Sequence, residues 1–342
     1  MNKKLNFAVI GCSNMAKTHM KGIIANEGAE LYAICDIDED ILKNRHEEFP
    51  SAKAFTDYRE LVKDENVDAV VLVTPDQLHL EMTEAFLRAG KDVLCEKPMA
   101  LTLNECEEMM RIEKETGKML MIGQICRCTP GFVLAKKLID EGRIGELFFI
   151  ESEYAHNYIN ARGVKDWRVT PERHGIIGGG CHAVDLLRWI AGDPTEVFAY
   201  SNHKNLPDWP TQDSTVALYK FPNNVMGKVF ASIGCRRNYT MRSVFYGTKG
   251  TIICDNKSPE IQLFQSDDEN GNETDFTSPV MLPVELNDHN AQAEIAAFVD
   301  ALVYGKELPA TSLEGASTVA VCCATVESAE KGELIKIRYP KI

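Results

Sequence analysis

Over the first 125 residues, short apolar runs alternate with stretches whose apolar positions recur at helical spacing. The runs at 5–10, 31–35, 67–73, 92–95 and 119–122 read as strands, and 14–25, 40–48, 77–89 and 102–116 read as helices. Strands that are apolar throughout suit a sheet covered on both faces, and regular strand–helix alternation implies parallel strands with right-handed crossovers. Thr102, with Glu105 three residues on, forms a capping box for the helix at 102–116. A helix at 130–142 leads into a different pattern. Strand-like stretches at 147–155, 196–202, 213–221, 225–234, 241–247, 250–254 and 260–265 follow one another, with hairpin turns at 221–225 and 247–250. Helices are expected at 291–304 and 312–331, a short strand at 335–337, and an exposed acidic loop around Gly271 at 267–275. The fold class is an α/β domain at 1–125 followed by an α+β domain at 126–342. The second has a large, mostly antiparallel open sheet, with a C-terminal segment able to return and pack on the first.

Composition narrows the function. The 342 residues carry a net charge of −14, which disfavours a nucleic-acid partner. No apolar run reaches the length of a membrane span, and no signal core follows the first lysines. The cysteines number 11, an odd count without a Cys-x-x-Cys pair, and several lie in apolar strands. Buried reduced thiols in a cytoplasmic protein explain them better than disulfides or zinc.

Candidate chemistry gathers at the carboxyl ends of the first strands, where ligands of open parallel sheets bind. The first turn reads Gly11-Cys12-Ser13-Asn14-Met15-Ala16, a variant of the dinucleotide fingerprint with Ser13 at its second small position and Ala16 at its third. The following helix N-terminus would supply amide donors to a pyrophosphate through Ser13, Asn14 and Met15. Asp36 ends the second strand 25 residues after Gly11, where an acid bonds an adenosine ribose. Its acidic neighbours Asp38, Glu39 and Asp40 would repel a 2′-phosphate, so NAD is expected over NADP. Thr74, Pro75 and His79 follow the third strong strand and are expected to line the same groove. Asp92-Val93-Leu94-Cys95-Glu96-Lys97-Pro98 is a buried strand that delivers Glu96 and Lys97 to the same edge.

These residues, together with Gly123-Gln124, Arg127, Pro130, the run 139–146, Trp167-Arg168 and Gly179-Gly180-Cys181-His182-Ala183-Val184-Asp185, give the chain its family likeness. In their order along the chain they resemble the glucose–fructose oxidoreductase, inositol dehydrogenase and MocA family. The resemblance implies a Rossmann domain, then an open-sheet domain, and NAD(P)-dependent oxidation or reduction of a sugar, cyclitol or related polyol by a homo-oligomer, dimer or tetramer. It also implies cofactor contacts from Glu96, Lys97 and Gln124, and a substrate contact from Arg127.

The second chemical centre is the glycine-rich turn ending in His182. A histidine near a helix N-terminus suits a general base, and Asp185, three residues on, shares its helix face. The pair also fits a core histidine bonded to an aspartate. A metal held by Cys181, His182 and Asp185 is disfavoured, because adjacent helical residues point apart; no metal is expected. The resemblance implies an aspartate, as in inositol-dehydrogenase-like members, where this chain has Gly178, so a larger share of the proton transfer is expected of Lys97. Tyr154, His156, Trp167 and Arg168 are the substrate candidates, because aromatic faces stack on C–H surfaces while polar groups bond hydroxyls. The catalytic set is therefore Lys97, His182 and Asp185. Two rivals keep the cofactor: a glycoside hydrolase or lyase that oxidises transiently with a retained NAD, and a non-catalytic NAD or sugar sensor.

Overall fold

A computed structural model describes residues 4–163, 166–265, 278–287 and 289–341; the loop expected at 267–275 lies outside these. The chain divides into two compact units. The first comprises 1–125, 289–316 and 340–342, and the second comprises 126–288 and 317–339.

In the first unit the elements run β1 (Leu5–Ile10), α1 (Asn14–Ala25), β2 (Ala29–Cys35), α2 (Glu39–Glu48), β3 (Lys53–Phe55), α3 (Tyr58–Lys63), β4 (Ala69–Leu72), α4 (His79–Arg88), β5 (Asp92–Glu96), α5 (Leu103–Thr116) and β6 (Leu120–Gly123). The six strands are parallel in the order β3-β2-β1-β4-β5-β6. The order reverses direction between β1 and β4, which makes the carboxyl edge there the expected binding crevice. β4 is buried along its whole length, as its unbroken apolar run requires. The capping box forms: Glu105 N–H donates to Thr102 Oγ1 at 3.2 Å, and Thr102 N–H donates to Glu105 Oε2 at 2.9 Å. β3 and α3 were not anticipated. β3 is three residues long with two of them exposed, so it carries no hydrophobic period.

The second unit begins with α6 (Pro130–Asp140), β7 (Leu147–Ala155), α7 (Gly175–Gly178), α8 (Cys181–Ala191), β8 (Glu196–Asn202), β9 (Ser214–Lys220), β10 (Met226–Ser232), β11 (Thr240–Gly247), β12 (Gly250–Asp255), β13 (Glu260–Gln265) and β14 (Val280–Pro283). α9 (Ala291–Tyr304) then belongs to the first unit; α10 (Ser312–Lys331) starts there and continues into the second, and β15 (Ile335–Lys336) closes the second sheet. Its nine strands run β14-β13-β12-β11-β7-β10-β9-β8-β15. All pairings are antiparallel except β7 with β10, because the β8-β9-β10 meander returns beside β7 after the helical excursion through α7 and α8.

β9 shows how the sheet divides its faces. Thr215, Ala217 and Tyr219 are buried, while Val216, Leu218 and Lys220 are exposed. The inner face packs on helices: Tyr219 Oη lies 2.8 Å from Thr325 Oγ1 of α10, and a Cβ at Gly227 would come within 2.8 Å of Leu187 of α8. On the outer face Tyr200 sits opposite Val216 and Phe198 opposite Leu218, with Tyr200 67% and Leu218 57% exposed.

In the first unit, α9 covers α1 and β1. Phe298 meets Phe7 edge-on at 6.1 Å, and Ile295, Phe298 and Val299 join the core built from Phe7, Val9, Met20 and Ile23. Gly22 permits the close crossing: a Cβ there would lie 3.1 Å from the Ala291 carbonyl. Replacing Thr102 by alanine should remove one cap and lower the unfolding free energy by about 1 kcal/mol. Urea denaturation followed by circular dichroism measures this; an unchanged midpoint would show that the cap contributes nothing.

Candidate active site

The first centre lies at the carboxyl edge of the parallel sheet. Gly11 ends β1 with φ of +90°, and a Cβ there would stand 2.4 Å from the Val73 carbonyl, so only glycine lets the chain turn. Ser13 caps α1 by accepting from Ala16 N–H at 3.3 Å, and its own hydroxyl hydrogen stays available. Asn14 and Met15 open the helix, with their amides in its first turn. Asp36 Oδ2 accepts from Cys12 N–H at 2.8 Å and Oδ1 from Asp38 N–H at 2.9 Å, so the acid is held against the turn. Arg45 of α2, unsuspected in the sequence, donates to the Cys12 carbonyl at 3.2 and 3.1 Å from beneath the same turn. Its guanidinium is therefore occupied with loop carbonyls.

His79 was expected to line the groove. Instead it is buried at 1% exposure, with Nδ1 2.9 Å from the Pro98 carbonyl and Nε2 3.2 Å from the Thr74 carbonyl. Burial alone would lower its pKa, but Cys95, Asp76 and the Pro98 carbonyl outweigh it and raise the pKa to about 10. Two acceptors suit an imidazolium that donates from both nitrogens. His79 therefore ties the loop after β4 to the loop after β5 and is not a groove-lining contact. Thr74 Oγ1 and Gln124 Oε1 are buried without a hydrogen-bond partner among the described residues.

At the end of β5, Glu96 Oε1 lies 2.8 Å from His19 Nε2, and Oε2 accepts from Lys97 N–H at 3.1 Å. Burial raises the Glu96 pKa, yet the His19 bond and the Lys97 charge hold the carboxyl below its usual range. The Lys97–Pro98 peptide is cis. His19 and the nearby Glu294 of α9 were missed in the sequence. Their signal was a polar residue inside an apolar helical stripe: His19 among Ala16, Met20 and Ile23, and Glu294 among Ala291, Ile295 and Phe298.

The second centre is built within the second unit. His182, in the first turn of α8, is 3% exposed and stacks on Tyr154 of β7, with ring centroids 5.8 Å apart. Its Nδ1 lies 3.8 Å from Cys126 Sγ. Tyr154 Oη is 3.1 Å from His156 Nδ1 and 2.8 Å from Tyr158 Oη, and Tyr239 packs edge-on against the Tyr154 ring. Burial and the neighbouring tyrosines raise the Tyr154 pKa well above its usual value, so the phenol keeps its proton. The structure thus brings Tyr154, His156 and His182 together and adds Tyr158 and Tyr239.

Asp185 does not orient His182. Its carboxylate accepts from Arg127 Nε and Nη2, both at 2.9 Å, and from Thr318 Oγ1 at 2.9 Å. Asp185 is fully buried and the Arg127 side chain is 6% exposed. Both are corrected from catalytic and substrate candidates to a structural ion pair that joins the loop before α6 to α8 and α10. Helical spacing put Asp185 near His182, but a fixed guanidinium offered a stronger partner.

Trp167 and Arg168 stack on each other at 4.2 Å, with Arg173 over the same indole at 4.9 Å. Arg173 is buried, and its Nη2 donates to the Gly178 carbonyl at 3.1 Å. A Cβ at Gly178 would fall 2.3 Å from that guanidinium, so Arg173 fills the space a longer residue would need. The neighbouring glycines face equally close groups: Tyr154 at 2.6 Å from Gly179 and Ala231 at 2.7 Å from Gly180.

A parallel sheet with a fingerprint-type turn, an acid at the end of its second strand and a Glu-Lys pair at its edge defines an NAD-binding oxidoreductase of the Rossmann class. Known proteins agree. Residues 5–124 match the family model described as "Oxidoreductase family, NAD-binding Rossmann fold", and residues 132–253 match the GFO/IDH/MocA C-terminal domain. An inositol 2-dehydrogenase from Saccharopolyspora erythraea is 30% identical over 256 residues, 72% of each chain. A 1,5-anhydro-D-fructose reductase from Ensifer adhaerens is 28% identical over 336 residues, 97% of this chain and 98% of that one. Levoglucosan dehydrogenase, solved with NADH, superposes with a TM-score of 0.88 at 22% identity over 98% of this chain and all of that one; this shows a shared fold. The chain belongs to the glucose–fructose oxidoreductase, inositol dehydrogenase and MocA family.

Removing one member of the buried Arg127–Asp185 pair leaves the other charge uncompensated. Asp185→Asn should therefore cost about 3 kcal/mol of stability. Thermal and urea unfolding check this; a variant as stable as the parent would return Asp185 to the catalytic candidates.

Proposed function

We propose that this protein is an NAD-dependent dehydrogenase that moves a hydride between a polyol hydroxyl carbon, in a cyclitol or sugar, and the nicotinamide. The Glu96-Lys97 pair at the crevice edge, with Glu96 held as an ionised acceptor by His19, is the observation that carries this reading.

The residues present fit the dinucleotide. The Gly11 turn lets the backbone approach a pyrophosphate, and Ser13, Asn14 and Met15 offer helix-terminal donors. Asp36 takes the adenosine ribose and disfavours NADP, because the carboxylates of Asp36 and Asp38 would face a 2′-phosphate and Arg45 is already spent on the turn. Thr74 Oγ1 and Gln124 Oε1, unpaired and buried, are suited to the cofactor's polar edges, beside Pro75 and Glu96. Bound NAD supplies the hydride acceptor. Lys97 and His182 are the chain's candidates to hold the hydroxyl proton as the C–H bond breaks. Tyr154 and His156 present an aromatic and polar surface for a sugar ring, with Trp167 and Arg168 as further substrate contacts.

A panel of cyclitols, anhydro-sugars and aldoses, followed by NADH absorbance with NAD and then NADP, tests the reading. Steady NADH formation with at least one polyol is expected. Release of an aglycone without net NADH would replace it by transient oxidation. Lys97→Met should lower kcat by about 100-fold or more while NADH still binds, measured by fluorescence titration; unchanged turnover would remove Lys97 from the mechanism.

The outer face of the nine-stranded sheet supports a homo-oligomer, dimer or tetramer. Tyr200 beside Val216 and Phe198 beside Leu218 form two apolar pairs across β8 and β9 on this face, with Tyr200, Val216 and Leu218 exposed. Light scattering should show an assembly that Leu218→Lys with Tyr200→Lys shifts towards monomer. A monomeric parent would refute the assignment of this face.

A further inference from the structure

Three buried groups of the first unit meet beside the Glu96-Lys97 pair. His19 comes from α1, Glu96 from β5 and Glu294 from α9, with ligand-type atoms all within 4.8 Å of one another. Glu294 has no exposed surface, and neither of its carboxyl oxygens has a hydrogen-bond partner among the described residues. Nδ1 of His19 likewise lacks one, although Glu294 Oε2 lies 3.9 Å away. The other ring nitrogen, Nε2, is 2.8 Å from Glu96 Oε1. The imidazole is therefore wedged between two carboxyl groups, one facing each nitrogen. A metal ion takes a single ring nitrogen. One carboxyl per nitrogen is the layout of a hydrogen-bond chain, and equally of a metal on Nδ1 backed by Glu96 at Nε2, which the metal measurement below separates.

We propose that Glu294 is a positioning residue: a buried, protonated acid that faces His19 Nδ1 across 3.9 Å and donates its O–H to that nitrogen when the two close to bonding distance, which fixes His19 with its proton on Nε2 and so keeps Glu96 aligned as the acceptor that holds the Lys97 backbone. In a neutral imidazole one nitrogen donates and the other accepts. The Nε2–H bond to the Glu96 carboxylate leaves Nδ1 with a lone pair, and only a donor can satisfy it. An ionised Glu294 would set a second negative charge in a dry site already holding Glu96. The ionisable groups the structure places against Glu294 are His19 from α1 and Glu96 from β5, with Lys97 next along the chain. Burial, then the Glu96 charge, raise the Glu294 carboxyl well above its usual range.

The sign follows from linkage. The folded protein keeps a proton that the unfolded chain releases once pH passes the ordinary carboxylate range. Glu294 therefore contributes its full stability below that range, and the contribution is lost as pH rises towards the folded value. Glutamine donates in the same place and does not titrate.

The kinetic half of this inference rests on the dehydrogenase reading of Lys97; the stability half does not. The full-length protein is compared with Glu294→Gln and Glu294→Met by thermal unfolding from pH 5 to pH 9, and metal content is measured on the purified parent with and without chelator. The expected result is a melting temperature for Glu294→Gln that gains on the parent steadily as pH rises. Turnover of Glu294→Gln should stay within about twofold of the parent, while Glu294→Met, which keeps volume but not the donor, loses about tenfold or more in kcat with little change in the KM for NAD. Parallel pH–stability curves for parent and Glu294→Gln would overturn the proposal, as would a kcat loss in Glu294→Gln equal to that in Glu294→Met. Stoichiometric metal whose removal lowers the melting temperature would overturn it in favour of a metal site. If Glu294→Met does not fold, the pH dependence of the Glu294→Gln difference decides.

Discussion

The carboxyl edge of the parallel sheet depends on one constraint: polar groups buried there need partners, and most of those that hold the loops find them in one another. An unpaired buried donor or acceptor costs about 1–3 kcal/mol, more if charged. His79 meets this constraint for two loops at once, because its ring nitrogens face the carbonyls of Thr74 and Pro98. Arg45 does the same for the first turn through the Cys12 carbonyl. Glu96 is tied on one oxygen to His19 and on the other to the Lys97 amide. Each bond fixes a loop whose backbone would otherwise be free to move. These bonds tie the loops at the sheet edge to one another in the absence of a ligand, and preorganisation of this kind lowers the cost of orienting a cofactor.

In the second unit the same logic gives a different outcome. The Asp185 carboxylate is claimed by Arg127 and Thr318, so it anchors α8 against the loop before α6 and against α10. His182 is left to pack on the Tyr154 ring. The glycine run before α8 is explained by steric demand: Arg173, Tyr154 and Ala231 each come so close that a side chain at 178, 179 or 180 would collide. The buried Arg173 guanidinium occupies the space beside Gly178, so it adds a positive charge to the polar environment next to this centre.

The secondary structure was largely legible because it rests on local periodicity. α1, β7, β8, β13, α9 and α10 match the bounds read from apolar spacing. β3, α3 and β14 escaped because they are short and carry little apolar period. In the candidate site, the residues that mark the turn and the strand ends were visible: Gly11, Asp36, Glu96 and Lys97 occupy positions set by the chain's own direction. The partners were not. Helical spacing gave Asp185 to His182 and could not see Arg127, 58 residues away in the chain. His79 read as a groove-lining residue because its acceptors, two backbone carbonyls, leave no trace in the sequence. A polar residue's role is decided by whichever complementary group is nearest in space, and that is a property of tertiary packing.

The split of the first unit along the chain follows from this packing. Residues 1–125 contain every strand of the parallel sheet, yet one side of the β1–α1 layer is completed only by α9. Phe298 and Ile295 bring the apolar surface that Phe7, Met20 and Ile23 require, and Gly22 lets the two helices approach closely enough for it. The same close approach carries the Glu294 carboxyl into a dry site beside His19. Hydrophobic burial supplies the driving force for docking α9, and it fully offsets the cost of one desolvated acid only if that acid is neutral or paired. A helix that served packing alone would more simply place an apolar residue at position 294. A buried acid facing a histidine, next to the residue that holds Lys97, makes α9 part of the crevice's electrostatics as well as its core.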